Sequence, residues 1–245
     1  MVRTAGVLVI LAVSAAISAG SAAAQAQAPV AEPNRLAEPF MELAARVDGP
    51  IAETREWLRV YAAAVIDDWA TVRADAQKLT ERFPQSADML VAFAVGLEGT
   101  GDHEAAVTAL RKAVELNPQH LTGWLMLVQM NYRLNRLQDA ALALEQARKI
   151  APENVEILMS LAKAYVRLGD AERATLVLAG ATKAAPGNVE AWVNYLAVSA
   201  RTDRSESAWR EFDQLKTSRP EVAASVEKRL PAGVARPAQA PAPPR

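Results

Sequence analysis

Residues 154–186 read NVEILMSLAKAYVRLGDAERATLVLAGATKAAP and contain one complete unit of a pattern that runs through most of the chain. Two apolar stripes with helical spacing are separated there by the dipeptide Gly169-Asp170. Glycine can end a helix in a left-handed conformation, aspartate can cap the next helix, and Pro186 disfavours helical geometry in the residue before it. The stretch therefore predicts two helices, helix A and helix B, joined by a tight turn.

The proline that ends this stretch recurs every 34 residues, at Pro84, Pro118, Pro152, Pro186 and Pro220. We number each unit from its first helical residue: Ala87, Leu121, Val155 and Val189. Alanine then occupies position 20 in every unit, at Ala106, Ala140, Ala174 and Ala208. Position 24 is bulky and apolar throughout, at Leu110, Leu144, Leu178 and Phe212. A fixed period of this length predicts stacked helix pairs, each packed on its neighbours.

The repeated positions resemble the signature of the tetratricopeptide repeat (TPR) family, which runs W-x2-L-G-x2-Y, then A-x3-F, then P. The resemblance covers roughly residues 51–222. It implies an all-α fold, a right-handed α-solenoid of antiparallel helix pairs. The N-terminal segment, residues 1–24, indicates an exported bacterial type of this family. The resemblance says little about function, because the family binds many unrelated partners.

The organisation of the chain follows from this period. Residues 1–24 predict a signal peptide, with Arg3 before an uncharged apolar run and A-x-A cleavage patterns near Ala24; the alternative is an uncleaved membrane anchor. The remaining segments are a linker at 25–50 with a short amphipathic helix over Arg35–Val47, a degenerate first repeat at 51–86, four TPR units at 87–120, 121–154, 155–188 and 189–222, a capping helix at 223–230, and a disordered Pro/Ala-rich tail at 231–245.

The first repeat fits the pattern only if the register of its helix A slips by one residue. That slip places Trp57, Val60 and Tyr61 at positions 4, 7 and 8. The last repeat carries Leu196 and Leu215 where small residues are usual. Terminal repeats of a solenoid commonly depart from the consensus, because one of their faces has no neighbour.

The amino-acid composition gives no indication of an enzyme active site. The 245 residues include no cysteine, and 27 Lys and Arg balance 28 Asp and Glu, so neither thiol chemistry nor general attraction to nucleic acid is expected. The two histidines, His103 and His120, have no ligand partner at helical spacing, and we assign both structural roles. The sequence therefore predicts no enzyme activity, cofactor or metal site; an exported enzyme with an unrecognised site is a remote alternative.

In TPR proteins, positions 2, 5, 9, 12 and 13 of helix A usually line a concave groove. The resemblance therefore implies a partner-binding groove at Leu125, Gln129, Tyr132, Arg133, Met159, Lys163, Arg167, Val193 and Arg201. Arg133, Arg167 and Arg201 share position 13 and form the arginine ladder, which would face an acidic ligand. In the alternative interpretation, these arginines only complement the helix dipole, and the apolar residues at position 5 only pack one helix A on the next.

These features predict an exported, periplasmic scaffold that docks a partner peptide or helix in its groove during assembly of a cell-envelope complex. The partner is expected to be a protein or peptide with acidic groups and apolar anchors, rather than a nucleic acid. A mature chain without a membrane span is expected. The alternative from a different class is a structural spacer whose groove is filled by its own Arg35–Val47 segment.

Overall fold

The computed structural model describes residue 47 and residues 55–236, so the leader predicted at residues 1–24 lies outside the described part. Within that part the chain forms eleven α-helices and no strand. They are α1 (Arg55–Val65), α2 (Trp69–Arg82), α3 (Ala87–Gly99), α4 (His103–Leu116), α5 (Leu121–Arg133), α6 (Leu137–Ile150), α7 (Val155–Arg167), α8 (Ala171–Ala184), α9 (Val189–Ser199), α10 (Ser205–Ser218) and α11 (Pro220–Arg229). The predicted all-α solenoid of helix pairs is confirmed.

Helix boundaries follow the 34-residue period. The odd-numbered helices α3, α5, α7 and α9 begin at residues 87, 121, 155 and 189 and are the A helices of the four units. The B helices α2, α4, α6, α8 and α10 each end two residues before a repeated proline. In the first repeat, α1 is described from Arg55 onward. Its residues Trp57 and Val60 are buried and Tyr61 is half-buried.

Each A helix of the four units starts with the same side-chain cap. The residue before the helix accepts a hydrogen bond from the backbone N–H three residues later, which satisfies one of the free donors at a helix start. The four capping residues are Ser86, His120, Asn154 and Asn188. This repeated cap fixes where every unit begins.

The turns between helices A and B also share one geometry. Asp67, Gly101, Asn135 and Gly169 lie 34 residues apart, and all four have positive φ, from 56° to 83°. The next residue caps helix B in three of these turns, through the side chains of Asp68, Asp102 and Asp170. In the turn before α6 that place belongs to Arg136, which makes no cap and instead pairs with Glu104 at 2.7 Å.

The core lies between neighbouring helices along the whole stack. Alanines at positions 20 and 27 are fully buried, so adjacent helices approach closely, and the bulky residues at position 24 fill the space between units. At the C-terminal end, α11 packs against α9 and α10 and buries Ala223 and Val226, as a further helix A would. No helix among the described residues is long and apolar enough to cross a membrane.

Residues 231–236 belong to the segment predicted to be a disordered tail, but they lie against the last helix pair. Val234 packs against the core, and Arg236 pairs with Asp213 and lies over the ring of Trp209. The rest of the tail, residues 237–245, is outside the described part.

Candidate groove on the A helices

The groove predicted from the sequence maps to α5, α7 and α9 and to Arg201, which follows the end of α9, and none of its nine side chains is buried. Leu125, Arg133, Lys163, Arg167 and Arg201 are exposed. The other four members are half-buried: Gln129, Tyr132, Met159 and Val193. The equivalent positions of α3 differ, because Val91 and Val95 are fully buried. The surface available on the A helices therefore belongs to the C-terminal part of the solenoid.

The most N-terminal arginine of the ladder is already paired within the chain. Arg133 Nε lies 3.3 Å from Oε1 of Glu98, and the same oxygen accepts a hydrogen bond of 2.8 Å from Nε2 of Gln129. The Glu98 side chain is buried, and its second oxygen has no hydrogen-bond partner. Burial raises the pKa of Glu98, although the neighbouring Arg133 acts in the opposite direction. Two predicted groove residues, Arg133 and Gln129, therefore contact a buried carboxyl group of the same chain.

The second arginine of the ladder stacks on a tyrosine of the preceding unit. The guanidinium carbon of Arg167 lies 5.7 Å from the ring centroid of Tyr132, at cation–π distance. Burial raises the pKa of the Tyr132 hydroxyl, and the charge of Arg167 partly offsets that effect. In both contacts an arginine at position 13 reaches the residue at position 12 of the preceding A helix.

The third arginine of the ladder, Arg201, takes no part in the Arg133–Glu98 or Arg167–Tyr132 contacts. Arg201 lines an open notch of about 400 Å³ together with residues of the turn between α7 and α8, including Gly169 and Asp170. Arg201 forms no ion pair within the described part of the chain. The structure therefore places the three arginines of the ladder in three different surroundings, and not around one cavity.

A cavity of about 430 Å³ between α7, α8 and α9 brings together three of the predicted groove residues, Met159, Lys163 and Arg167. We call it the α7–α9 cavity. The rest of its lining is contributed by Ser160, Ala162, Val166, Leu178, Glu190, Asn194 and Val198. Sequence reasoning did not assign Glu190 or Asn194 to the groove. Glu190 is at position 2 of its unit, a groove position, and could have been found by extending the alignment to that position.

The two histidines differ in their contacts, because His120 is hydrogen-bonded through both ring nitrogens whereas Nδ1 of His103 is buried without a hydrogen-bond partner. His120 Nδ1 accepts the N–H of Gly123 at 3.0 Å, and His120 Nε2 lies 2.9 Å from Oδ1 of Asp88. The first contact fixes the proton on Nε2, so the ring donates to Asp88 and links α5 to α3. Among the described residues, no group of three acidic, histidine or cysteine side chains could hold a metal ion.

Stacked helix pairs with a 34-residue period, alanine-lined contacts and a surface along the A helices define the chain as a tetratricopeptide repeat protein. A more specific match exists over residues 66–224, to the TPR domain of the cytochrome c-type biogenesis protein H family. Because this match covers well over half of the chain, the protein belongs to that family. No curated protein sequence matches the chain.

Solved structures of other TPR proteins share the fold at low sequence identity. MamA superimposes with a TM-score of 0.55 and 16% identity over 69% of this chain and 92% of its own. YrrB, a TPR protein with an unusual peptide-binding site, has a TM-score of 0.51 and 17% identity over 69% of this chain and 88% of its own. MamA from Desulfovibrio magneticus RS-1 reaches 0.50 and 15% over 80% and 97%. These similarities concern the fold alone.

Proposed function

We propose that this protein is a non-catalytic scaffold that holds a polypeptide during c-type cytochrome biogenesis in the cell envelope. The family supports the process, since its name refers to cytochrome c biogenesis. The apolar run after Arg3 supports export to a compartment outside the cytoplasm, such as the periplasm. The chain has no cysteine, so it contributes binding and positioning to this process and no thiol chemistry of its own.

The observation that carries the proposal is the open surface on the C-terminal A helices. Leu125, at position 5 of α5, is 38% exposed, and Val166, which lines one cavity with Lys163 and Arg167, is 40% exposed. Apolar side chains beside cations can offer a partner both apolar contact and charge-assisted hydrogen bonds. An extended segment or helix of the partner would lie across α5, α7 and α9, with apolar side chains directed between the A helices.

Site-specific crosslinking tests whether the partner uses this surface. A photoreactive amino acid is placed at Leu125 or Met159, and the protein is mixed with peptides that tile a c-type cytochrome polypeptide before haem attachment. The matched controls are Leu142 and Leu176, two exposed leucines on the B helices α6 and α8. We expect crosslinks from the A-helix positions and few from the B-helix positions.

Two other outcomes would change the proposal. Crosslinks confined to Leu142 and Leu176 would move the binding surface to the B helices. No crosslink from either surface, with the helical fold intact, would favour the spacer alternative. Of the segment proposed for that alternative, only Val47 is described, and it is half-buried against the core.

A further inference from the structure

The cations along the A helices differ in whether they form an ion pair within the described part of the chain. Arg133 is paired with the buried carboxyl group of Glu98, so its charge is already matched inside the chain. Lys163 and Arg167 are exposed, and neither forms an ion pair with any residue of the described part. Arg201 is also without an ion pair in the described part but lines a separate notch, so two of the three unmatched cations of the predicted groove lie together on α7, where they can attract a negatively charged group.

The same two cations border an apolar cavity. Met159, Val166 and Val198 line the α7–α9 cavity, and Leu178 of α8 contributes from the adjacent B helix. The volume of about 430 Å³ is large enough for one leucine-sized side chain. The side-chain amide of Asn194 also lines the cavity and can donate to and accept from a peptide backbone.

Arg167 is preorganised for contact with an anion. Its position over the Tyr132 ring restrains the guanidinium group, while the group remains exposed to solvent. A planar guanidinium that stacks on an aromatic ring can still offer N–H donors to a carboxylate. Holding the side chain in place beforehand reduces the entropy lost on binding.

One acidic residue opposes this attraction. Glu190 lines the same cavity, in the first turn of α9, where the helix dipole favours a negative charge. Its carboxylate would repel an acidic ligand, so Lys163 and Arg167 must outweigh it for such a ligand to bind. Removing the charge of Glu190 therefore tests independently whether the cavity attracts a negatively charged ligand.

We propose that the α7–α9 cavity recognises a carboxylate side chain that neighbours an apolar side chain in a partner peptide. Lys163 and Arg167 bind the carboxylate, and the apolar side chain enters between Met159, Val166 and Val198. This inference rests on the proposed function, because it specifies what the groove accepts. It also limits acidic recognition to the C-terminal part of the groove, since Glu98 supplies the carboxyl group for Arg133.

The test uses two labelled synthetic peptides of about ten residues that differ only in charge. One alternates Asp and Glu with Leu, and its twin carries Asn and Gln in place of the acids. We expect the full-length protein to bind the acidic peptide at least about tenfold more tightly, because charge-assisted hydrogen bonds are stronger than neutral ones. Raising the salt concentration should weaken the acidic peptide's binding more than that of its twin.

Charge-reversal variants locate the site. The double variant Lys163→Glu/Arg167→Glu should weaken binding of the acidic peptide by about a hundredfold, as two attractive contacts become repulsive. The matched control is Lys112→Glu/Lys183→Glu, which makes the same change of charge at two exposed B-helix lysines without ion pairs in the described chain. That control should bind normally. Glu190→Gln should tighten binding a few-fold.

Equal binding of the acidic peptide and its twin would overturn carboxylate recognition, while crosslinks from Met159 would still support docking in the groove. A loss of binding in the B-helix control as large as in the α7 double variant would also overturn it, because it would show only an effect of net charge. Helical circular dichroism must be unchanged in both double variants. Tight, charge-dependent binding without crosslinks from cytochrome peptides would keep this site and reject the proposed process.

Discussion

Helices α3 and α7 occupy the same place in their repeats, two units apart, and the chain uses them in opposite ways. Positions 5 and 9 of α3 are Val91 and Val95, and neither side chain has any exposed surface. The matching positions of α7 are Met159, which is half-buried, and Lys163, which is exposed. One repeat geometry therefore produces a core helix near the N-terminal end and a surface helix towards the C-terminal end.

Two glycines account for part of this difference. A Cβ added to Gly96 would lie 2.5 Å from the backbone nitrogen of Arg73, and one added to Gly99 would lie 2.3 Å from Cγ of Trp69. Helix α2 therefore lies against α3 more closely than any side chain at these places would allow. The residue of α7 equivalent to Gly99 is Arg167, which is exposed. The N-terminal units provide stability through close packing, and the later units leave a surface free.

A charge placed in α3 should give the largest difference in stability between the two helices. Val91→Lys should lower the free energy of unfolding by more than about 3 kcal/mol, because the ammonium group would be buried without a designed partner. Met159→Lys is the matched change in α7 and should cost less than about 1 kcal/mol, since a half-buried lysine can extend its charge into water. Urea titration followed by circular dichroism measures both. Equal losses would show that the two helices are not differently buried.

A smaller effect is expected at the turns, which are alike in both halves. Gly101 and Gly169 have φ of 83° and 80°, and an added Cβ would meet no atom within 4 Å at either. Replacing either glycine with valine should cost about 1–2 kcal/mol through backbone strain alone. Gly101→Val and Gly169→Val should therefore agree closely in thermal or urea unfolding, whereas the groove substitutions should not.

Asn135 offers a control for the interpretation that backbone strain at positive φ causes this loss of stability. It occupies the same turn position with φ of 56°, so Asn135→Gly relieves strain instead of adding it. This variant should be as stable as the wild type or slightly more stable. A loss as large as that of the valine variants would mean that side-chain contacts of the turn, and not backbone strain, determine its stability.

The fold could be predicted because its signals are local and repeated. Each turn residue and each proline acts within its own helix pair, and five prolines in one register place the helix ends. The capping role of His120 was also within reach of the alignment, because Ser86, Asn154 and Asn188 occupy the same place in the other units. Comparing units at a single position predicts such roles better than considering each residue alone.

The use of the groove was harder to predict, because it depends on contacts between units. The groove positions were assigned from the family pattern, and that pattern treats Arg133, Arg167 and Arg201 alike. Their surroundings differ because the residues they reach in the preceding unit differ: Glu98 for the first and Tyr132 for the second. The presence of arginine at position 13 does not indicate which residue it contacts at position 12 of the preceding unit. Whether these residues bind a partner remains a prediction.

A small, pH-dependent effect is expected from Glu98, the buried carboxyl group that pairs with Arg133. Because burial raises the pKa of Glu98, the folded protein retains this proton at pH values where the unfolded chain has released it. The contribution of Glu98 to stability is therefore present below its ordinary pKa of 4.5 and is lost as the pH rises through the higher pKa of the folded state. Glu98→Gln replaces the group with a neutral amide that can still accept from Gln129, so this component of the pH dependence should disappear.

Urea unfolding of the wild type and of Glu98→Gln at about pH 4 and pH 7 measures this difference. Other carboxyl groups, such as Asp170 with its lowered pKa, favour the folded state at higher pH in both proteins, so only the difference between the two proteins is informative. Between the two pH values the wild type should lose stability relative to the variant by about 1 kcal/mol or less. If the difference has the opposite sign, the ionised carboxylate is stabilised by Arg133 more than burial destabilises it. In that case this pair is a net stabilising contact of the N-terminal half, and Arg133 is held away from ligands even more firmly than the present geometry requires.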